Sequence, residues 1–417
     1  MTEPIESKSR GPVRIVIFGA GNRASKYLRY ILDNPDKVKL VGIVESNTLR
    51  CHRMALTAGV SEKSCFGDFD SFFASKVDAD AVLICLPENI HYEPAIKALR
   101  AGYNILLEKP IAPTIEECRA IADEAVTRGL IAGVCHVLRY HPYFEKIKEI
   151  VDSGRLGEIV SITHRASVGV DRTTHGFVRG QWNREKLTNP MFISKCCHDV
   201  DFIVWLTGSR ARRVSSFGSL RHFRSECTPE GSAARCIDCS IEKGCPFSAV
   251  DLYRNRRDWI SNFDVKEGET IDIVIERELA EGRQGRCVYH CDNDVVDHQI
   301  VSIEMENDVT VNLSMDCFTL RDNRQTHICL THGEIYGDEH RIEVYTFRGG
   351  LKEVYDFARL EGKPYHAGAD LRVVEDFIKA IADSEHKILT DIADSLESHQ
   401  ICFDAEKSRR TGTMISR

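Results

Sequence analysis

Val13-Arg14-Ile15-Val16-Ile17-Phe18-Gly19-Ala20-Gly21-Asn22-Arg23-Ala24 is an apolar run that stops on glycine and then turns polar. Behind it Tyr27, Leu28, Tyr30, Ile31 and Leu32 recur at helical spacing. The pattern predicts strand, tight turn, helix. Glycines at 19 and 21 let the backbone approach a ligand, and the helix start that follows favours negative charge, so the turn suits a dinucleotide pyrophosphate. Val38–Val44 reads as a second strand ending at Glu45, about 20 residues past the turn, where a carboxylate can accept hydrogen bonds from a ribose 2′-hydroxyl. A plain surface turn would need none of this frame. Glu45 favours NAD; Arg50 and Arg53 close behind keep NADP as the alternative cofactor.

Asp80–Leu86 is a third apolar run, and Pro87-Glu88-Asn89-Ile90-His91 follows at its carboxyl end, where ligands collect in an open parallel sheet. A helical pattern runs through Ala95, Ile96, Leu99 and Ala101, and the strand Asn104–Leu107 ends in Glu108-Lys109-Pro110. Most loop lysines are simply solvated. Lys109 differs by position, at a strand end in a dinucleotide fold, where its ammonium can stand beside the cofactor's reactive ring.

At 417 residues the chain exceeds the usual single domain, and we divide it into 1–136 and 137–417. With 42% hydrophobic and 28% charged residues it has the composition of a soluble globular protein. A net charge of -8, from mixed signs throughout, argues against nucleic acid or an anionic membrane as the main partner. No uninterrupted apolar stretch reaches the roughly 18 residues of a membrane span, and MTEPIESKSR at the start lacks the apolar centre of a secretory signal. The expectation is a cytoplasmic protein whose sixteen cysteines stay reduced, several of them in buried-looking runs such as Leu83-Ile84-Cys85-Leu86.

Beyond residue 136 longer β-type runs, Ile159–Ala166, His298–Met305 and Val309–Met315, point to an antiparallel sheet. Ser194-Lys195-Cys196-Cys197-His198-Asp199-Val200-Asp201, continuing into Phe202–Leu206, reads as a helix on which Lys195, His198 and Asp201 share much of one face. A helical histidine on its own is more often structural. Asp370–Ile381 and Ile392–Ser408 also show helical spacing and are expected to pack on the sheet or on the N-terminal domain.

The glycine turn, Leu86–His91, Glu108-Lys109-Pro110, Arg139-Tyr140-His141-Pro142 and Ser153-Gly154-Arg155-Leu156-Gly157-Glu158-Ile159 together resemble the Gfo/Idh/MocA family of oxidoreductases, in order and spacing and over nearly the whole chain. The resemblance implies an α/β fold: an N-terminal Rossmann domain with a doubly wound parallel sheet, then a C-terminal α/β domain with a large, mostly antiparallel open sheet. It implies a nicotinamide cofactor, a sugar or polyol substrate, and a homodimer or homotetramer. Gly19, Gly21, Asn22, Arg23, Glu45, Pro87, His91 and Glu108 would then bind the cofactor, while Lys109, His198 and Lys195 would be catalytic.

In the mechanism so implied, His198 removes the proton from a substrate hydroxyl, the carbon gives hydride to nicotinamide C4, and Lys109 stabilises the developing alkoxide. Many family members carry an aspartate four residues before this histidine. This chain has Ser194 there, followed by Lys195, so the relay departs from the commoner pattern. Arg139 and Tyr140 match a family motif and are expected at the substrate, as is Asp201. Arg179 and Trp182, in His175-Gly176-Phe177-Val178-Arg179-Gly180-Gln181-Trp182, pair a polar group with an aromatic plane, which suits sugar recognition. Two other functions use the same features: a redox-neutral cleavage or epimerisation of a glycoside through a transient keto-sugar, and a non-catalytic NAD(P)-sensing regulator. Retention of Lys109 and His198 argues against the second.

Six cysteines fall between 227 and 291, around an insertion at about 222–292. Cys236-Ile237-Asp238-Cys239 with Cys245 is a partial zinc motif, and spacing leaves Cys227, Cys287 or Cys291 as the fourth ligand. We take Cys236, Cys239, Cys245 and Cys291 as the expected structural zinc set, with free thiols as the alternative. Cys291–His298 resembles a calcium loop only superficially, lacking the glycine and distal glutamate of an EF-hand.

Overall fold

Val13–Phe18 forms β1, buried on both faces, and the strand at Val38–Val44, β2, pairs with it in parallel. This computed structural model describes residues 11–266, 268–360 and 362–417; the segment MTEPIESKSR lies outside the described residues. The chain divides into one unit of residues 1–141 and 363–396 and a second of residues 142–362 and 397–417. Residues 363–396, placed by sequence in the second domain, therefore cluster with the first.

The first unit adds β3 (Cys65–Phe66), β4 (Ala81–Ile84), β5 (Asn104–Leu107) and β6 (Ala132–Val134). All pair in parallel in the order β3-β2-β1-β4-β5-β6, the doubly wound arrangement with its switch point between β1 and β4. Helices cover the sheet, which is why its strands read as continuous apolar runs. Three of these helices start on side-chain caps: Asn47 to the Arg50 N–H, Asp68 to that of Ser71, and Thr114 to that of Glu117. The helix Asn22–Asp33 begins at Gly21 with no side-chain cap. The returning helix Ala369–Ala382 sends Val373, Val374, Phe377 and Ile378 into one core with Tyr27, Leu28 and Ile31.

The second unit is built on a nine-stranded sheet: β7 (Ile159–Ser167), β8 (Ala211–Ser219), β9 (His298–Met305), β10 (Thr310–Asp316), β11 (Arg324–Leu330), β12 (Gly333–Gly337), β13 (Arg341–Thr346), β14 (Gly350–Asp356) and β15 (Ile415–Ser416). The order is β14-β13-β12-β11-β7-β10-β9-β8-β15, antiparallel except for β7 with β10. Burial alternates along β9 and β10, giving an inner and an outer face. The helix Met191–Thr207 is buried over most of its length, with the Phe202 ring 4.9 Å from that of Phe144 and 6.0 Å from His164 on β7.

Between β8 and β9 runs the cysteine-rich insertion, made of short turns and the helix Ile271–Ala280. Two small apolar clusters support it. One gathers Cys236, Leu252, Tyr253, Ile275 and Leu279; the other gathers Phe223, Cys287, Val288 and Tyr289. No disulfide forms among the described residues, and no helix among them is long and apolar enough to cross a membrane.

Candidate active site

In the first unit the candidate groups gather at the carboxyl ends of the parallel strands. Gly19 follows β1 with φ +87°, and a Cβ there would lie 2.6 Å from the carbonyl oxygen of Cys85, just past β4. The two strand ends flanking the switch point thus close on each other, and only glycine fits between them. Gly21 is different: a Cβ would meet nothing within 4 Å. Open space in front of an uncapped helix start is what a pyrophosphate needs. Glu45, past the end of β2, accepts hydrogen bonds from the Ala20 N–H (2.7 Å) and the Asn47 N–H (2.8 Å), which fixes its carboxylate beside the glycine turn. These residues fit a dinucleotide.

Other expected cofactor residues are engaged inside the unit. Arg23 donates to Glu108 (2.6 Å) and to Asp370 of the returning helix (2.9 Å), and Tyr27 also donates to Glu108. Burial opposes ionisation of Glu108, but Arg23 and the Tyr27 hydroxyl outweigh it and hold the carboxyl below its usual range. Glu108 and Arg23 thus form an ion pair that anchors the loop ahead of Lys109. His91, fully buried, places its ring nitrogens 2.9 Å from the Pro110 carbonyl and 3.0 Å from that of Leu86, tying the loops after β4 and β5 together. Burial keeps its pKa down. Lys109 is half-buried, its peptide to Pro110 is cis, and Asn22 and Pro87 are exposed.

His136, just past β6, was not anticipated. It is fully buried, and burial together with the Arg139 and Lys109 charges holds its pKa well below normal. Arg139 and Tyr140, expected at the substrate, are buried. Arg139 donates to the Leu389 carbonyl (3.0 Å), and the Tyr140 hydroxyl donates to Asp376 (2.7 Å), both partners in the returning segment.

The second unit brings its charged groups together along the helix Met191–Thr207. His198 is half-buried; Ser194, Lys195, Asp199 and Asp201 are buried. Lys195 donates to Asp322 (3.2 Å), which also pairs with Arg172 (2.7 Å). Burial, then the neighbouring Arg172 charge, push the Lys195 ammonium's pKa down, while Lys195 and Arg172 keep Asp322 ionised against its burial. Asp199 accepts from Arg324 (2.5 Å) and lies 3.1 Å from His164, whose other ring nitrogen meets Thr326 at 2.9 Å. These partners overcome burial and depress its pKa strongly.

Asp322 precedes β11 and Arg324 opens it, far along the chain from the helix. Their chemistry was visible in Asp322-Asn323-Arg324, but their meeting with Lys195 and Asp199 depends on sheet pairing. Lys195, the residue after Ser194, thus meets a carboxylate from outside the helix, that of Asp322.

Arg179 and Trp182 do not join this group. Arg179 is fully buried and donates to the carbonyls of Arg286 (2.7 Å) and Phe247 (2.5 Å) and to the Cys236 sulfur (3.7 Å), all tied to the insertion. The Trp182 ring packs at 6.0 Å from Phe177. Cys236, Cys239 and Cys245 line one cavity, and its fourth cysteine is Cys287, not Cys291. Among the described residues, the one grouping of three metal-type ligand atoms within 4.8 Å of one another lies elsewhere: His327, Cys329 and Glu334 on β11 and β12. It is already closed by mutual contacts, 3.0 Å from His327 to Glu334 and 3.6 Å to Cys329.

Residues 13–136 match the profile described as "Oxidoreductase family, NAD-binding Rossmann fold", and residues 144–245 match the GFO/IDH/MocA C-terminal domain. The chain belongs to the Gfo/Idh/MocA family of oxidoreductases. Curated relatives include D-glucoside 3-dehydrogenase of Escherichia coli, 31% identical over 37% of this chain and 43% of that protein. Another is inositol 2-dehydrogenase 1 of Saccharopolyspora erythraea, 26% identical over 49% of this chain and 57% of that protein. The chain spans about half the length of the curated relatives it matches. An Agrobacterium radiobacter oxidoreductase solved with NAD+, L-tartaric acid and magnesium shares the fold at TM-score 0.71 and 14% identity, over 97% of this chain and 98% of the other. So does the WlbA dehydrogenase of Bordetella pertussis, solved with NADH and UDP-GlcNAcA, at TM-score 0.67 and 16% identity over 99% of each chain.

Proposed function

We propose that this Gfo/Idh/MocA protein is an NAD-dependent oxidoreductase that moves hydride between nicotinamide and a secondary alcohol of a sugar, glycoside or polyol. The observation that carries the reading is the open, uncapped glycine turn at Gly21 with Glu45 fixed beside it, in the same unit whose β5 ends in the half-buried Lys109. The names of the D-glucoside and inositol dehydrogenases support the substrate class. Glu45 supports NAD over NADP, since a carboxylate held beside the turn accepts ribose hydroxyls and repels a 2′-phosphate.

When bound, the nicotinamide takes up the hydride. In this reading Lys109 donates a hydrogen bond and charge to the substrate oxygen as it becomes an alkoxide, and His198 accepts the proton that oxygen gives up. Lys195, held by Asp322, positions the polar face of the helix on which His198 stands. We further propose a cytoplasmic homodimer or homotetramer. Exposed Phe217 and Ile300, paired across β8 and β9, with Tyr336, Leu351 and Val354 on the remaining strands, support burial against a second copy.

A panel of sugars, glycosides and polyols incubated with NAD or NADP, followed by absorbance of the reduced cofactor, tests the reading. Accumulation of NADH with at least one panel member is expected. Glycoside cleavage without NADH would point instead to the redox-neutral reaction, and NAD binding with no turnover of any member would point to a sensor.

A further inference from the structure

We propose that the insertion holds a metal centre on four thiolates, Cys236, Cys239, Cys245 and Cys287, with Arg179 as its buried counter-charge. This is independent of the oxidoreductase reading. All four cysteines line a single cavity of ≈ 360 Å³, mouth included, and Arg179 lines it with them. The other two cysteines of the region are turned elsewhere. Cys291 points its sulfur at the Cys287 carbonyl (3.2 Å) and Cys227 at the Arg221 carbonyl (3.7 Å).

Arg179 supplies a second, separate observation. It is fully buried, no carboxylate pairs with it among the described residues, and its Nη1 has no hydrogen-bond partner there. A guanidinium carried into the interior without a paired anion is costly; Glu242, the carboxylate in the cavity lining, accepts from the Ser248 hydroxyl instead, and four metal-bound thiolates would supply the anion. The Cys236 sulfur already accepts from Arg179 (3.7 Å) and from the Ala249 N–H (3.5 Å), the pattern by which surrounding donors orient a thiolate ligand.

The metal also answers a folding question. The insertion is a chain of short turns with two small apolar clusters, and Cys236 belongs to one while Cys287 belongs to the other. A shared ion ties them, each thiol giving up its proton on binding. The sulfurs ring the cavity more widely than the 4.8 Å grouping of His327, Cys329 and Glu334. Zinc, on contraction of the ring, and an iron–sulfur cluster are the two species such a thiolate set takes.

Metal analysis of the full-length protein, purified without chelators both in air and anaerobically, tests this. The expected result is about one zinc per chain, or iron with matching acid-labile sulfide in the anaerobic preparation. Cys287→Ser should lower the metal content by about tenfold or more, while Cys291→Ser retains it. X-ray absorption at the metal edge, on unsubstituted protein, should show sulfur-only coordination. Metal-free protein from both preparations overturns the proposal, as does metal lost with Cys291→Ser and kept with Cys287→Ser, or coordination dominated by nitrogen and oxygen.

Discussion

At Gly19 an added Cβ would sit 2.6 Å from the Cys85 carbonyl oxygen on a backbone with φ +87°, whereas at Gly21 it would meet no protein atom within 4 Å. Gly19→Ala is therefore expected to destabilise the first unit by about 1–3 kcal/mol in urea unfolding. Gly21→Ala should leave stability within about 0.5 kcal/mol but weaken NAD about tenfold by calorimetry, because its Cβ stands where a pyrophosphate approaches. His175 reports on the second unit. Burial, with Arg179 and Arg172 adding, pushes its pKa down to about 4, and its ring meets the Tyr253 hydroxyl at 2.9 Å. The unfolded chain takes up this proton near pH ~6.5, the folded chain only near about 4. The stabilisation is thus full above ~6.5 and is lost as pH falls towards about 4, up to ~3 kcal/mol. His175→Gln should flatten that part of the urea stability profile.

At the scale of elements, strands and helices with strong local patterns were legible. Val13–Phe18, Val38–Val44 and Asn104–Leu107 form with the bounds expected, and the helical spacing at Asp370–Ile381 lies within the helix Ala369–Ala382. The helix's apolar stripe told that it packs but not on which unit, since that depends on partners more than two hundred residues away, such as Tyr27 and Leu28. Phe377→Ala, at a fully buried position in that core, is expected to cost about 3–5 kcal/mol in the first unit's unfolding. The edge strand Cys65–Phe66 is too short to carry a periodicity of its own and gains its identity from pairing. Arg139, Tyr140 and Arg179 illustrate the same limit for side chains. Each has the chemistry of a ligand contact, and each also meets carbonyl or carboxylate partners from remote segments that no local pattern announces.

For the whole molecule, family membership and the first unit's geometry support the proposed dinucleotide-dependent enzyme, while the chemistry proposed for it falls to two residues, Lys109 and His198. The measurement that tests this most directly compares NADH formation by the unsubstituted protein, Lys109→Ala and His198→Ala on an active member of the sugar and polyol panel, with NAD affinity of each measured in parallel. The account predicts turnover lowered by about 10²–10⁴-fold in each variant, with NAD affinity held within about threefold. Full turnover by both variants would contradict it.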